Sequence, residues 1–157
     1  MYPFTLVTDS TIDETAAYFS QNDIKCVPLS FTIDNRTIEE DCGQTVSFHQ
    51  FYDLLRQGKQ SSTSQAKLDT FLTVFREALD AGQDVLYIGF SSGLSGTFQA
   101  GCMARDELAP LYPDRKIFCV DSLSATGGEY LLVDKAREMR DSGCTAEITA
   151  TAIEQMR

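Results

Sequence analysis

Residues 84–97 read DVLYIGFSSGLSGT, and this stretch decides the fold class. Its first half, from Asp84 to Phe90, is the apolar run of a buried strand, and a helical pattern follows Thr97. Hydroxyl groups and glycines are therefore concentrated where a strand passes into a helix. Backbone N–H groups at a helix start lack partners and attract anions. Because residues 91–97 contain no Lys, Arg or His, they suit a carboxylate or one small phosphate.

Strands and helices alternate along the chain on both sides of this junction. Such alternation is typical of an α/β fold, a mostly parallel sheet with helices on both faces. At 157 residues, the chain is expected to form a single α/β domain, residues 1–157. The predicted strands are 4–8, 26–33, 85–89 and 116–120. Each predicted helix has apolar residues repeated at helical spacing: Ile12/Ala16/Phe19, Phe48/Phe51/Tyr52/Leu55, Leu68/Phe71/Leu72/Phe75/Leu79, Phe98/Cys102/Ala109, Leu132/Ala136/Met139 and Ile148/Ala152/Met156.

Short local signals predict where some of these elements begin and end. Thr11 and Glu14 have the T-x-x-E spacing of a capping box, which predicts that a helix starts there. Gly82 is expected to end the helix before it. The polar stretch 34–44 is expected to be a loop or a short ribbon, and the hydroxyl-rich stretch 60–64 a loop.

Three polar loops, 9–11, 91–97 and 121–124, each follow a predicted strand directly. In parallel α/β sheets, the loops at the carboxyl ends of the strands line the ligand crevice. We therefore expect these loops to meet and to form a binding site. Asp9 and Ser122 also have a purely structural interpretation, because Asp and Ser oxygens commonly cap helices. No cluster of carboxylates accompanies Asp9, so no metal site is predicted.

The composition excludes several classes of function. The chain has 13 Lys and Arg against 23 Asp and Glu, a net charge of -10, and it lacks the basic clusters that bind nucleic acid. No apolar run is long enough for a transmembrane segment, and the amino terminus lacks a secretory signal, so a cytoplasmic location is expected. Five cysteines without a C-x-x-C pair and a single histidine give no zinc-binding pattern.

The strand-to-helix junction also has an alternative interpretation as the nucleophile site of a hydrolase. Residues 89–93, GFSSG, match the G-x-S-x-G pattern of α/β-hydrolases, in which the catalytic histidine follows the serine in the chain. The single histidine, His49, precedes Ser91 in the chain, which is the wrong order for that mechanism. A serine-dependent acyl hydrolase using Ser91 is therefore disfavoured and is kept only as the alternative function. Ser64 and Lys67 match S-x-x-K, but the companion motifs of that class of enzyme are absent.

Four segments, spread from near residue 5 to near residue 135, share a hydroxyl-rich character. They are VTDST at 7–11, STSQ at 62–65, SSGLSGTFQ at 91–99, and VDS at 120–122 with Ser124 and Gly127-Gly128. In this order and spacing they resemble the first lobe of the DegV family of bacterial fatty-acid-binding proteins. The third segment is the most specific of the four.

The resemblance implies a Rossmann-like first lobe of a two-lobed protein, whose second, C-terminal lobe has no counterpart in residues 1–157. It implies a lipid carrier and not an enzyme, with no catalytic residue, cofactor or metal of its own. The ligand would be a long-chain fatty acid, presented to a separate ATP-dependent fatty acid kinase that makes acyl phosphate. The head-group residues carry over to Thr63 and Ser95, and the residues expected to support them are Asp9, Ser10, Ser64, Gly93, Gly96, Thr97 and Ser122.

The chain departs from the family pattern in two places. After Thr-Ser-Gln the family often has Pro-Ser, whereas this chain has Ala66-Lys67. Losing the proline loosens that loop, because proline fixes one backbone angle. The second lobe of the family carries a histidine that also contacts the head group, and this histidine has no counterpart here.

Overall fold

The computed structural model describes residues 2–157. They form six α-helices and seven strands, and the strands are arranged in two sheets. The strands are β1 (Phe4–Asp9), β2 (Ile24–Val27), β3 (Ser30–Ile33), β4 (Arg36–Glu39), β5 (Ser61–Ser64), β6 (Asp84–Gly89) and β7 (Ile117–Asp121). The helices are α1 (Ala16–Gln21), α2 (Phe48–Arg56), α3 (Leu68–Asp80), α4 (Thr97–Leu108), α5 (Thr126–Asp141) and α6 (Ala146–Met156), with 3-10 turns at Ser10–Ile12 and Ala109–Leu111. The first sheet is parallel, in the order β2-β1-β6-β7, and the second is antiparallel, in the order β4-β3-β5.

The parallel sheet confirms the predicted α/β fold with helices on both faces. Successive side chains of a strand point to opposite faces, and β1 shows this with Leu6 and Val7. Leu6 belongs to the core that packs against α5 and α6, whereas Val7 belongs to the core that packs against α3 and α4. Every residue of β1 is buried, as expected for an inner strand of a sheet that is covered on both faces.

The predicted strand 26–33 is in fact two strands that belong to different sheets. β2 ends at Val27 in the parallel sheet, and β3 starts at Ser30 in the antiparallel sheet. Pro28 lies between them, and it interrupts the ladder because proline has no N–H to donate. The short ribbon considered for residues 34–44 exists, since β4 pairs with β3 as a hairpin.

The prediction of a loop at residues 60–64 is wrong, because Ser61–Ser64 form β5. The strand pairs antiparallel with β3, and this register sets Thr63 opposite Phe31. All four side chains of β5 carry hydroxyl groups and all four residues are exposed. The backbone ladder to β3 therefore holds this strand in place, and apolar burial contributes little.

The capping box predicted at Thr11 is wrong. The first 3-10 turn ends at Asp13, whose φ of 57° is left-handed, and α1 begins only at Ala16. The Thr11 hydroxyl instead lies between the carboxyl groups of Asp9 and Glu129. Thr11 is therefore committed to a tertiary network and does not start a helix.

The other predicted helices are confirmed, but the stripe predicted for α6 is not its buried face, since Ile148 and Met156 are both more than half exposed. The apolar stripe of α3 is buried, and the chain turns after it at Gly82 with a φ of 75°. α2 has aromatic residues on one face, yet none of its residues is fully buried. Its Phe51 packs edge-on against Phe31 of β3 with ring centroids 5.1 Å apart. Among residues 2–157, no helix has both the length and the apolar character needed to cross a membrane.

Candidate functional site

The three polar loops predicted from the sequence meet at the carboxyl edge of the parallel sheet. The Phe90 N–H donates to Asp9 Oδ2 at 2.9 Å, which joins the loops after β1 and β6. The Ser92 N–H donates to Asp121 Oδ1 at 3.2 Å, which joins the loops after β6 and β7. The expectation that these loops lie together is therefore confirmed.

Asp9 is the centre of a buried hydrogen-bond network. Its Oδ2 accepts from the Tyr87 hydroxyl at 2.8 Å as well as from Phe90, and its Oδ1 accepts from the Thr11 N–H at 3.2 Å and the Thr11 hydroxyl at 2.6 Å. Asp9 thus caps the 3-10 turn, as the structural interpretation expected, and it also holds β6. Burial, with Asp9 acting in the same direction, raises the pKa of Tyr87 well above its usual range, so this hydroxyl remains a donor.

Tyr87 is wedged between two glycines. A Cβ atom at Gly89 would clash with its hydroxyl end, and one at Gly101 would lie 2.5 Å from its ring. Phe71 packs edge-on against the same ring with centroids 4.9 Å apart. Gly89, the first glycine of the G-x-S-x-G pattern, is therefore explained by the space that Tyr87 needs.

The geometry does not support the hydrolase alternative. Ser91 is 7% exposed, and its hydroxyl accepts a backbone hydrogen bond within its own loop. His49 lies on α2 with its side chain 83% exposed and is paired with a carboxylate of the same helix. Lys67 is not suited to act as a base for Ser64. Its hydrogen bond to Glu39 raises the pKa of this lysine, whereas a lysine that acts as a base needs a lowered pKa.

The strand that carries Thr63 leads into a loop that adjoins the segment of Ser95. The Ala66 N–H donates to the buried Thr97 Oγ1 at 3.2 Å, which ties the loop after β5 to the start of α4. The Gln65 side chain lies against Gly96, where a Cβ atom would clash with Gln65 Oε1. A larger residue at position 96 would therefore require the exposed Gln65 side chain to move.

The Ser95 hydroxyl is hydrogen-bonded to Thr97 at the start of α4. Ser95 Oγ lies 2.9 Å from Thr97 Oγ1, and either hydroxyl can donate in this contact. Ser95 Oγ also accepts from the Thr97 N–H at 3.1 Å, and Thr97 Oγ1 accepts from the Ala66 N–H. When Thr97, which is fully buried, donates its hydrogen to Ser95, the hydrogen of the half-buried Ser95 hydroxyl is available for a ligand.

Thr63 lines two adjoining clefts of about 260 and 280 Å³. The first has an aromatic wall built by β3 and α2, and the second extends toward the loops after β6 and β7. Ser95 is not a wall residue of either cleft. Both clefts share Ser10, Asp13, Phe31, Glu40 and Thr63; the first adds Glu14, Val46, Phe48, Phe51 and Tyr52, and the second adds Thr11, Leu29, Ser30, Phe90, Ala125 and Thr126.

The charged groups at these clefts are acidic. Burial raises the pKa of Asp13 and of Glu40, which makes both carboxyls easier to neutralise. In the part of the chain that the structure describes, no Lys, Arg or His lines either cleft, and no group of three His, Cys, Asp or Glu is placed to hold a metal ion. An anion bound here would therefore be held by neutral donors.

The remaining predicted support residues differ in what they can offer. Ser10 lines both clefts, and its hydroxyl accepts one backbone hydrogen bond at 3.1 Å. Ser122 donates its hydroxyl to the Ser124 carbonyl and accepts from the Ser124 N–H, so its hydrogen is used within its own turn. Ser64 is exposed on β5, and Gly93 is exposed in the loop after β6.

Glu129 belongs to this region but was not predicted from the sequence. It lies in the first turn of α5, is 0% exposed, and contacts the hydroxyls of Thr11 at 2.6 Å and Thr8 at 3.4 Å. The sequence feature that could have identified Glu129 is its position on the predicted helix. Glu129 falls on the same helical face as Leu132 and Ala136, so it is a carboxyl group within an apolar stripe.

Comparison with known proteins gives consistent results. The profile of the DegV family, described as "Uncharacterised protein, DegV family", matches residues 3–157. A DegV domain-containing protein of Streptococcus pyogenes serotype M1 is 39% identical over 140 residues, which cover 89% of this chain and 49% of that protein. The chain spans about half the length of the curated relatives it matches.

Solved structures share the fold. A DegV family protein from Thermus thermophilus, described as binding fatty acid, has a TM-score of 0.81 at 28% identity, over 98% of this chain and 53% of that one. The Fatty Acid Kinase (Fak) B3 protein of Streptococcus pneumoniae, solved with linoleic acid, has a TM-score of 0.80 at 22% identity, over 97% of this chain and 53% of that one. The family profile matches residues 3–157, and a family member is 39% identical over 89% of this chain. This chain therefore belongs to the DegV family.

Proposed function

We propose that this chain binds a long-chain fatty acid and holds its carboxylate with the hydroxyl groups of Thr63 and Ser95. The observation that carries the proposal is the half-buried Ser95 hydroxyl, which is bonded to Thr97 where the loop after β5 meets the start of α4. Hydrogen bonds to an ionised acceptor are about twice as strong as neutral ones, so a few neutral donors suffice for one negative charge. The description of the T. thermophilus relative as a fatty-acid binder supports this choice of ligand.

The aromatic wall favours one orientation of the ligand. Asp13 and Glu40 line both clefts, and Glu14 lines only the cleft with the aromatic wall, which therefore has one more carboxyl group. The aromatic wall next to Thr63 instead suits the methylene groups nearest the head group, each of which contributes about 0.8 kcal/mol when buried. We place the carboxylate on the side of Thr63 that faces the loop of Ser95.

The relatives are about twice as long as this chain. We propose that residues 1–157 form one α/β lobe of a two-lobed protein. The second lobe would then cover the part of the acyl chain that the clefts at Thr63 leave exposed. This division explains why the aromatic face of α2 is not buried by residues 2–157.

We propose that the protein is a carrier and that a separate ATP-dependent fatty acid kinase phosphorylates the bound carboxylate. The name of the S. pneumoniae protein with the same fold, Fatty Acid Kinase (Fak) B3 protein, supports such a partner. Ser95 is only half-buried, so a carboxylate bound to it lies near the surface, where another protein can reach it. A partner that uses ATP fits a cytoplasmic location.

Replacing Ser95 with alanine tests the head-group assignment. We expect the affinity for palmitic acid to fall by about 1–3 kcal/mol, a factor of about 5 to 150 in Kd, because one hydrogen bond to a charged group is lost. Displacement of a fluorescent fatty acid from the purified chain measures this change.

Ser92→Ala is the matched control. Ser92 lies in the same loop, is exposed, and its hydroxyl makes no hydrogen bond within residues 2–157. We expect this variant to bind palmitic acid like the wild type. Equal affinities of Ser95→Ala and the wild type, or equal losses in the two variants, would refute the role of Ser95.

A further inference from the structure

The Thr11 hydroxyl makes two short contacts but has only one hydrogen to give. Its Oγ1 lies 2.6 Å from Asp9 Oδ1 and 2.6 Å from Glu129 Oε2. A hydroxyl between two ionised carboxylates could donate to only one of them, and the other contact would bring two acceptors together. One of the two carboxyl groups therefore holds a proton and donates it to Thr11.

The surroundings place this proton on Glu129. Asp9 accepts three further hydrogen bonds, from the Tyr87 hydroxyl and two backbone N–H groups, and each is stronger when Asp9 is ionised. Glu129 is 0% exposed and accepts only a longer contact from Thr8 at 3.4 Å. Within residues 2–157, neither carboxyl group forms an ion pair.

The charges around Glu129 act in the same direction. Burial raises the pKa of Glu129 to about 9, with Asp9 the next largest cause and Asp13 a smaller one. The hydrogen bonds with Thr11 and Thr8 lower this pKa, but they offset only part of the increase. At neutral pH the group is therefore a carboxylic acid and can donate.

Two other titratable groups face the network from the parallel sheet, Cys26 on β2 and Tyr87 on β6. Burial raises the pKa of both groups above their usual values, so both are neutral at pH 7. Neither group therefore adds a charge to the network.

We propose that Glu129 is a positioning residue, a neutral acid that orders the head-group loops through Thr11 and Asp9. Glu129 donates to Thr11, Thr11 donates to Asp9, and Asp9 holds the Phe90 N–H at the start of the loop that leads to Ser95. α5 is thereby tied to the loops after β1 and β6. This inference deepens the proposed function and depends on it only for the effect on ligand affinity.

Two substitutions at position 129 separate donation from charge. Glu129→Gln keeps an N–H donor for Thr11 and an acceptor for Thr8, so we expect it to bind palmitic acid like the wild type. Glu129→Ala removes the donor, and we expect affinity to fall about tenfold, the equivalent of about 1.4 kcal/mol. The control is Glu138→Ala on the exposed side of α5, which we expect to leave affinity unchanged. Equal losses in the glutamine and alanine variants would overturn the proposal.

A titration without ligand tests the neutral acid by itself. Carboxyl carbon NMR on the ligand-free protein follows each glutamate with pH, and the signal missing in Glu129→Gln identifies Glu129. We expect a midpoint of about 9, and a midpoint near the ordinary value of 4.5 would overturn the proposal. Because no ligand is present, failure of the fatty-acid proposal would not affect this result.

Discussion

Replacing Asp9 with alanine is expected to lower the free energy of unfolding by about 3 kcal/mol. The change leaves the buried Tyr87 hydroxyl and the Phe90 N–H without their acceptor. Each unsatisfied buried polar group costs about 1–3 kcal/mol, and the Thr11 hydroxyl loses an acceptor as well. Urea denaturation at neutral pH measures the difference from the wild type.

Asp114→Ala is the control, because it removes the same charge from an exposed turn. The Asp114 side chain makes no hydrogen bond or ion pair within residues 2–157, so we expect a change of no more than about 0.5 kcal/mol. If Asp9→Ala were no more destabilising than Asp114→Ala, Asp9 would not be the centre of the network.

Raising the pH from about 5 to about 8 is expected to destabilise the wild type relative to Glu129→Gln by about 1.4 kcal/mol for each pH unit. The pKa of Glu129 is about 9 in the folded chain, against an ordinary value of 4.5. Between these values the folded chain keeps a proton that the unfolded chain has lost, so rising pH favours unfolding. Below about pH 4.5 both states hold the proton and this dependence disappears. Urea denaturation of both proteins at a series of pH values measures the difference.

Other carboxyl groups also titrate across this range, and burial raises the pKa of Asp13 and of Glu40. These groups are present in both proteins, so their effects cancel when the two stability curves are subtracted. Parallel curves for the wild type and Glu129→Gln would show that Glu129 is not a neutral acid in the folded chain.

The parallel sheet could be predicted from the sequence because its burial pattern is local. The continuous apolar run of β6 and the 3.6-residue apolar stripe of α3 are each visible within one short window. The carboxyl ends of parallel strands meet at one edge of a sheet, so the contact between the loops at Asp9 and Phe90 also followed from the predicted topology.

The antiparallel sheet could not be predicted because its stability comes from pairing between distant segments. β5 is made of four exposed hydroxyl residues, and only the ladder to β3, about thirty residues earlier, makes it a strand. The same limit explains the error at Thr11. Its spacing to Glu14 suited a capping box, but two carboxyl groups from other elements take its hydroxyl.

The candidate site was predicted in part. The sequence motifs singled out Thr63 and Ser95, and in the structure the loop after β5 is hydrogen-bonded to the start of α4, two residues beyond Ser95. The hydrogen bonds that join Ser95 to Thr97 and Thr97 to Ala66 depend on the fold and are not visible in the sequence. The role of Glu129 was missed because a single acid on an apolar helix face does not reveal its partners.

The most direct test of the central claim is to add palmitic acid to the ¹⁵N-labelled chain and follow the backbone amide signals by NMR. If hydroxyl groups at the carboxyl edge of the sheet hold the fatty-acid carboxylate, the largest shifts will occur at Thr63, Ser95 and their neighbours. These shifts will weaken in Ser95→Ala. Unchanged signals at Thr63 and Ser95, whether other signals move or none do, would contradict the claim.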